Sequence, residues 1–290
     1  AEAVLMAINT TNRDTVYYSP NLYDSWIGVL ETYARPHGWA LKELPSEDGR
    51  AAYPDTWEDD VAAVCLGYPN KYGLADPVAD WEENRPDDEA VGIGGINPLS
   101  LGLLTPPGDL GLDVCVGEGQ PLGLPLLGGA PQLGLLSARE RFTRRMPGRL
   151  VGETEDRNGN RCYVLTLQTR EQHIRRERAT SNICSNQAWV ALRTAMHAAH
   201  LGPDGLVDLA NQMVELPATL AAELDELPGI EAPVHDGHHF REFLAHTEDS
   251  ATEIAGALEE EGFAVHALDA DTLQFAVTET NQHAVPDLVA

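Results

Sequence analysis

Apolar residues alternate along the chain between short runs of strand character and longer stretches of helical period. Residues 1–8 read as helix and Thr15–Ser19 as a short strand. Leu22–Ala34 has helical spacing and closes on Pro36 and Gly38, a stop signal of the usual kind. Ala40–Leu44 reads as a strand, Val61–Leu66 and Ala90–Ile96 as buried strands, and Val114–Gly117 and Gly134–Ser137 as two more. Continuous apolar runs of this length fit strands covered on both faces, so a mostly parallel sheet with crossover helices is expected. Pro, Gly and Leu crowd residues 97–136, which read as loops around short buried strands. The pattern then changes. Asn186–Leu201 reads as a helix ended by Gly202-Pro203, Asp204–Leu227 as a second helix that bends near Pro217, 230–247 as strand, 250–261 as helix and Phe263–Thr278 as strand. This divides the chain into an α/β part over 1–188 and a connecting helix with a small α+β part over 189–290. The opening AEAVLMAINT reads as the middle of a helix, so further residues are expected ahead of it.

Charge alters the picture of the surface. There are 46 acids against 19 bases, a net −27, and just two of the bases are lysines, Lys42 and Lys71. Such a field repels nucleic acid and keeps the chain dispersed, and acids spread throughout the sequence suit a salt-rich cytoplasm. No apolar run approaches the roughly 18 residues a membrane span needs, so no membrane partner is expected. The cysteines, Cys65, Cys115, Cys162 and Cys184, form no CxxC pair, and Cys65 and Cys115 fall in apolar strands as small core residues. His235, His238 and His239 with Asp236 lack the spacing of a defined metal site, and no metal is expected.

Against this background, eleven of the seventeen arginines lie between Arg139 and Arg178 with six acids, a local +5. Their planar forks suit carboxylates and phosphates. They pair either with the chain's own surplus acids or with a protein partner. His173 sits among them and reads as a neutral, hydrogen-bonded histidine or as a ligand contact. Gly117–Pro131 reads as a tight turn packed on the sheet, as part of an interface, or, less readily, as a phosphate cradle.

Four segments carry a family resemblance: INPLSLGLLTPPGDLGLDVCVGEGQPLGLPLLGGAP (96–131), MPGRLVGET (146–154), LTLQTREQHIRRERATSNICSNQA (165–188) and YPNKYG (68–73). In order and spacing they resemble the alpha subunit, subunit 1, of the P-protein of the glycine cleavage system, from residue 1 to about 245. That resemblance implies an aspartate-aminotransferase-like, fold type I pyridoxal phosphate architecture: a large domain with a mostly parallel sheet, followed by a small C-terminal α+β domain. It implies a subunit of glycine dehydrogenase (decarboxylating) in a cytoplasmic heterotetramer. A beta subunit would hold the pyridoxal phosphate, glycine would be decarboxylated, and the aminomethyl group would pass to the lipoylated H-protein. Against the family pattern, Tyr23 stands where a histidine is expected, Lys71 replaces an aromatic residue, and an N-terminal section is lacking.

The residues agree with a chain that lacks the anchoring chemistry. Pyridoxal phosphate enzymes of this fold need a lysine for the Schiff base and an acid for the pyridinium. The resemblance places the lysine within Val114–Pro125, near Gln120 or Pro121, and the acid near Gly92–Ile96; neither residue type is there. No catalytic or cofactor-binding residue is therefore expected in this chain. Gln120, Arg149, Thr166, Arg170, His173, Arg175, Arg176, Thr180, Ser181 and Asn182 are the expected partner-facing wall of the active site. Two alternatives are a pseudoenzyme that binds a partner without contributing to turnover and a self-sufficient pyridoxal phosphate enzyme, which the missing lysine opposes.

Overall fold

The structure, a computed structural model, describes residues 1–126, 128–129, 132–148, 150–166, 172–176, 179, 183 and 186–289, with the side chains of 172 and 173 left out. Its first half is built on a six-stranded sheet. The elements are α1 (Glu2–Thr11), β1 (Thr15–Tyr18), α2 (Asp24–His37), β2 (Ala40–Glu43), β3 (Val61–Tyr68), α3 (Trp81–Asn84), β4 (Val91–Ile96), β5 (Val114–Glu118) and β6 (Gly134–Ala138). The strand order is β2-β1-β3-β4-β5-β6. Five strands run parallel, and β6 pairs antiparallel with β5 at one edge.

The central strand β3, VAAVCLGY, is buried along its whole length, as expected of a strand covered on both faces. Alternate side chains serve opposite faces. Ala63 and Cys65 join Val4, Met6, Val16, Leu30, Ile93 and Phe142 under α1 and α2. Val64 and Leu66 join Tyr17, Leu44, Tyr68, Trp81 and Leu112 on the other side. Cys65 and Cys115 are buried core residues.

Helical crossovers are fewer than the sequence pattern implies. α2 links β1 to β2, but β3 reaches β4 through one helical turn, α3, and β4 reaches β5 through a 3-10 turn at Pro98–Gly102. Proline and glycine in that connection leave too few consecutive helix formers for more. Helix α2 also extends past Pro36 to His37 and ends on Gly38 in the left-handed region, φ 74°. A proline in a last turn forfeits little, because it breaks one backbone bond near a frayed end.

Beyond β6, the strands β7 (Leu150–Glu155) and β8 (Arg161–Thr166) form an antiparallel hairpin that sequence reading missed. Its turn carries Asn158-Gly159, a strong hairpin signal, and the Asp156 carboxylate accepts the backbone N–H groups of Asn158 and Asn160 at 2.7 and 2.9 Å. Helix α4 (Ala188–Asp225) follows, interrupted at Gly202, whose φ of 66° and ψ of −175° are not helical. The break expected at Gly202-Pro203 is thus a kink between two helical arms, and the second arm runs through the buried Pro217. A four-stranded antiparallel sheet follows: β9 (Ile230–Glu231), β10 (Glu242–Thr247), β11 (His266–Ala267) and β12 (Thr272–Ala276), in order β9-β10-β12-β11, with α5 (Ala251–Glu260) beside it and a short helix, α6 (Val285–Val289), after it. Phe243 and Phe275 stack at 5.4 Å in its core, against Leu220 and Leu224 of α4.

Candidate functional site

In open parallel sheets, ligand crevices form at the carboxyl ends of the strands. Here a crevice of about 660 Å³ lies on the α1 side of the sheet, toward the ends of β3, β4 and β5. Leu22, Trp26 and Leu30 line one wall and Val116, Leu133 and Leu135 the other. Met146, Pro147, Gly148, Leu150, Ile183 and Gln187 close a further side, so the segments 146–154 and 165–188 both reach it. Among its described lining residues none is Lys, Arg or His, and the acids are Glu2 and Glu118.

The glycines of the strand ends reflect steric necessity. A Cβ on Gly95 would come within 2.5 Å of the Trp26 ring, and one on Gly117 within 2.6 Å of the Ile96 carbonyl oxygen. No side chain, acidic or otherwise, fits at Gly95 while the indole stays in place. The turn after β5 is held by Glu118, whose Oε1 accepts the N–H groups of Leu133 and Gln120 at 2.6 and 3.1 Å. Gln120 spends its own amide N–H on the Leu124 carbonyl at 2.8 Å. The two lysines are engaged elsewhere. Lys42, on the far edge strand β2, pairs with Glu58, and Lys71 pairs with Asp24 at 2.7 Å.

The motif YPNKYG builds a polar hub at the end of β3. Asn70, 1% exposed, donates to the Gly49 carbonyl and to Asp76, and its Oδ1 accepts from the backbone of Tyr72 and Leu74. Asp76, 2% exposed, also accepts from Ala51 N at 3.0 Å and Gly67 N at 2.7 Å. Nothing in its sequence context set Asp76 apart from the other acids; its proximity to the Asn70 motif was the available signal.

Of the residues expected at a partner-facing wall, Gln120 is half-buried in its turn, and Thr166 ends β8 with its hydroxyl donating to the Leu150 carbonyl at 3.2 Å. Arg175 and Arg176 are exposed on and just after a helical turn, Gln172–Arg175, which also contains His173. Arg149, Arg170, Thr180, Ser181 and Asn182 lie outside the described residues. Gln120 and Thr166 lie on elements separate from the turn that carries His173 and Arg175. Two arginines of the basic segment are bound within the chain: Arg141 Nη2 lies 2.7 Å and Arg139 Nε 3.7 Å from the buried Asp113 carboxylate. Of the histidine cluster, His235 faces Asp48 at 3.3 Å and His239 faces the carbonyls of Tyr72 and His235.

The architecture is that of fold type I pyridoxal phosphate enzymes. It superposes on a sphingosine-1-phosphate lyase from Burkholderia pseudomallei (TM-score 0.71, 12% identity, 99% of this chain and 65% of that one) and on a phosphoserine aminotransferase from Cytophaga hutchinsonii (0.63, 14%, 99% and 78%), likenesses that establish the fold alone. Closer agreement narrows the assignment. A crystal structure of glycine decarboxylase (P-protein) of the glycine cleavage system, in inhibitor-bound form, matches at a TM-score of 0.91 and 37% identity over 99% of this chain and 68% of that one. The family model for the glycine cleavage system P-protein matches residues 1–289, and the chain belongs to that family. Curated relatives are a probable glycine dehydrogenase (decarboxylating) subunit 1 from Halobacterium salinarum, 45% identical over all of this chain and 67% of the relative, and one from Moorella thermoacetica, 45% identical over 91% and 60%. The chain thus spans about two thirds or less of the length of these relatives. No helix among the described residues is long and apolar enough to cross a membrane.

Proposed function

We propose that this chain is subunit 1 of glycine dehydrogenase (decarboxylating) and acts with a second, lysine-bearing subunit. That subunit holds the pyridoxal phosphate; together they decarboxylate glycine and pass the aminomethyl group to the lipoylated H-protein. One observation carries the reading: among the described residues lining the crevice at the strand ends there is no lysine, and there is no room for an acid at Gly95. Among the described residues, those of the crevice do not fit a covalently anchored aldehyde cofactor. The names of the curated relatives support a subunit with a partner.

The partner surface, on this reading, is formed by the basic stretch 139–178, with Arg149, Thr166, Arg170, His173, Arg175 and Arg176, together with Gln120, Thr180, Ser181 and Asn182. Apolar groups beside it support this. Val151, Tyr163 and Leu165 are exposed on the hairpin, and Trp189, Leu192 and Met196 are exposed at helical spacing on α4. Exposed apolar residues grouped on adjacent elements mark interaction sites.

The test is co-expression with the second subunit, followed by a glycine–bicarbonate exchange assay. Exchange on mixing, and none with either chain alone, is expected. Co-purification with turnover indifferent to this chain would reduce it to a non-catalytic interaction subunit, and exchange by this chain alone would overturn the reading.

A further inference from the structure

Away from the crevice, the loop between β9 and β10 carries a histidine whose two ring nitrogens both face carbonyl oxygens. His239 is buried, 6% exposed. Its Nδ1 lies 2.8 Å from the carbonyl oxygen of Tyr72, in the YPNKYG loop after β3. Its Nε2 lies 2.9 Å from the carbonyl oxygen of His235, on its own loop. A carbonyl oxygen can only accept. A neutral imidazole has one N–H and one lone pair, so it serves one of these carbonyls and turns a lone pair toward the other. With a proton on each nitrogen the ring serves both, and each bond is strengthened by the charge. The two carbonyls together therefore specify a doubly protonated ring.

This ring sits where the small sheet is stitched to the large one. Three successive carbonyls of the YPNKYG loop are taken by groups from the C-terminal part of the chain: Lys71 O by Gln274 Nε2 at 2.7 Å, Tyr72 O by His239, and Gly73 O by Phe240 N at 2.9 Å. On its other side the same loop holds the start of α2. Lys71 N donates to Asn21 O at 2.9 Å, and Lys71 Nζ pairs with Asp24 at 2.7 Å. Asn21 and Asp24 flank Leu22, which with Trp26 lines the crevice.

We propose that doubly protonated His239 is a pH-sensitive latch that ties the YPNKYG loop to the small sheet and, through Lys71, sets the wall of the crevice. The bonds of Gln274 and Phe240 do not titrate; those of His239 do. Whichever proton leaves, the tie is cut at one end. Nδ1 loses Tyr72, or Nε2 loses the anchor that the ring has on its own loop. The remaining lone pair then faces a carbonyl oxygen in a buried place, where an unmade bond is costly. The latch is closed at low pH and opens as pH rises and the ring gives up one proton.

The other charged and titratable groups nearby are engaged with one another or exposed. His235 Nδ1 faces Asp48 at 3.3 Å, and its ring packs on that of Tyr72 at 5.4 Å. Arg50, on the same hairpin as Asp48, bonds the Asp48 carboxylate at 3.1 Å and the Asp236 carbonyl at 2.6 Å. Glu242, buried at the start of β10 beside Arg241, accepts from the Tyr23 hydroxyl at 3.5 Å. Asp236 and His238 are exposed. Phe243 of β10 offers His239 an aromatic edge at 6.4 Å, which does not titrate. Burial first, with the charges of His239 and Arg50 adding to it, lowers the His235 ring from its ordinary value against the pull of Asp48, which leaves His239 as the cation of the pair.

Two measurements on the whole chain test the latch. Neither involves glycine or a second subunit, so the outcome is separate from that of the proposed function. With histidine labelled by nitrogen-15, NMR at pH 5.5 should show one histidine with both ring N–H groups protected from solvent exchange, and these two signals should vanish in His239→Gln. Hydrogen–deuterium exchange is then read in peptides covering 68–74 and 233–241 and corrected for the pH dependence of intrinsic exchange. Protection in both should fall roughly 10- to 100-fold over the range in which that ring loses one proton, the worth of a hydrogen bond from a charged donor. His239→Gln should make protection independent of pH, and His235→Asn should leave the fall in place. A single protected ring N–H on His239 at pH 5.5, or protection that ignores the titration of the ring, would overturn the latch. So would a fall abolished by His235→Asn and kept in His239→Gln, or one shared equally by peptides from the second arm of α4, which would be general loosening.

Discussion

The indole of Trp26 occupies the space that any side chain on Gly95 would need, with 2.5 Å between a Cβ there and the nearest ring carbon. This relationship ties two features of the crevice, its apolar wall and its missing acid, to a single packing decision. Gly95→Ala is expected to destabilise the chain by about 1–3 kcal/mol, the usual cost of overpacking. The cost should shrink when Trp26 is also replaced by Leu, because the two changes share one space. Denaturant unfolding of the single and double variants measures it, and equal costs in both backgrounds would refute the contact.

The Asn70–Asp76 hub predicts a larger effect. Asp76→Ala leaves the N–H groups of Ala51 and Gly67 without their acceptor and removes one of the two acceptors of the Asn70 amide. A loss of about 3–5 kcal/mol is expected, the range for removing one partner from a buried charged network. Asp76→Asn retains part of the acceptor set and should lose less. Urea midpoints at unchanged m-value give the comparison.

Much of the large sheet was legible in the sequence because central parallel strands are continuous apolar runs, and β3 is the plainest case. The hairpin Leu150–Thr166 was overlooked because its apolar residues, Val151 and Tyr163 among them, face outward and give no buried stripe to detect. The Asn-Gly turn was the signal that would have found it. Asp76 and Glu242 were illegible for a different reason. Among 46 acids, a single one that turns inward looks like its surface neighbours until the fold assigns it partners. The absence of a lysine and an acid near the strand ends was readable directly, whereas the reason no side chain fits at Gly95 required the position of Trp26.

Thiol reactivity follows from burial. Desolvation pushes the Cys65 thiol up to about 12 and the Cys115 thiol up to about 11. At pH 8 both remain protonated and enclosed, and neither should react with a thiolate-selective reagent in the native chain. Cys162, on the exposed hairpin strand β8, should react first of these three. Mass mapping of labelled peptides before and after denaturation checks the order.

The basic segment gives a prediction about assembly. Arg175→Glu combined with Arg176→Glu reverses two exposed charges on the proposed partner surface. Association with the lysine-bearing subunit should weaken at least tenfold, and more so at low salt, because exposed charges are screened. Unchanged association in a pull-down across a salt series would remove this surface from the interface.

The most direct measurement is chemical. The purified chain, and separately its mixture with the second subunit, are incubated with equimolar pyridoxal phosphate, reduced with borohydride and mapped by mass spectrometry. The modification is predicted on a lysine of the second subunit, with Lys42 and Lys71 of this chain left at the level of surface lysines. Stoichiometric attachment to Lys42 or Lys71 would contradict the account.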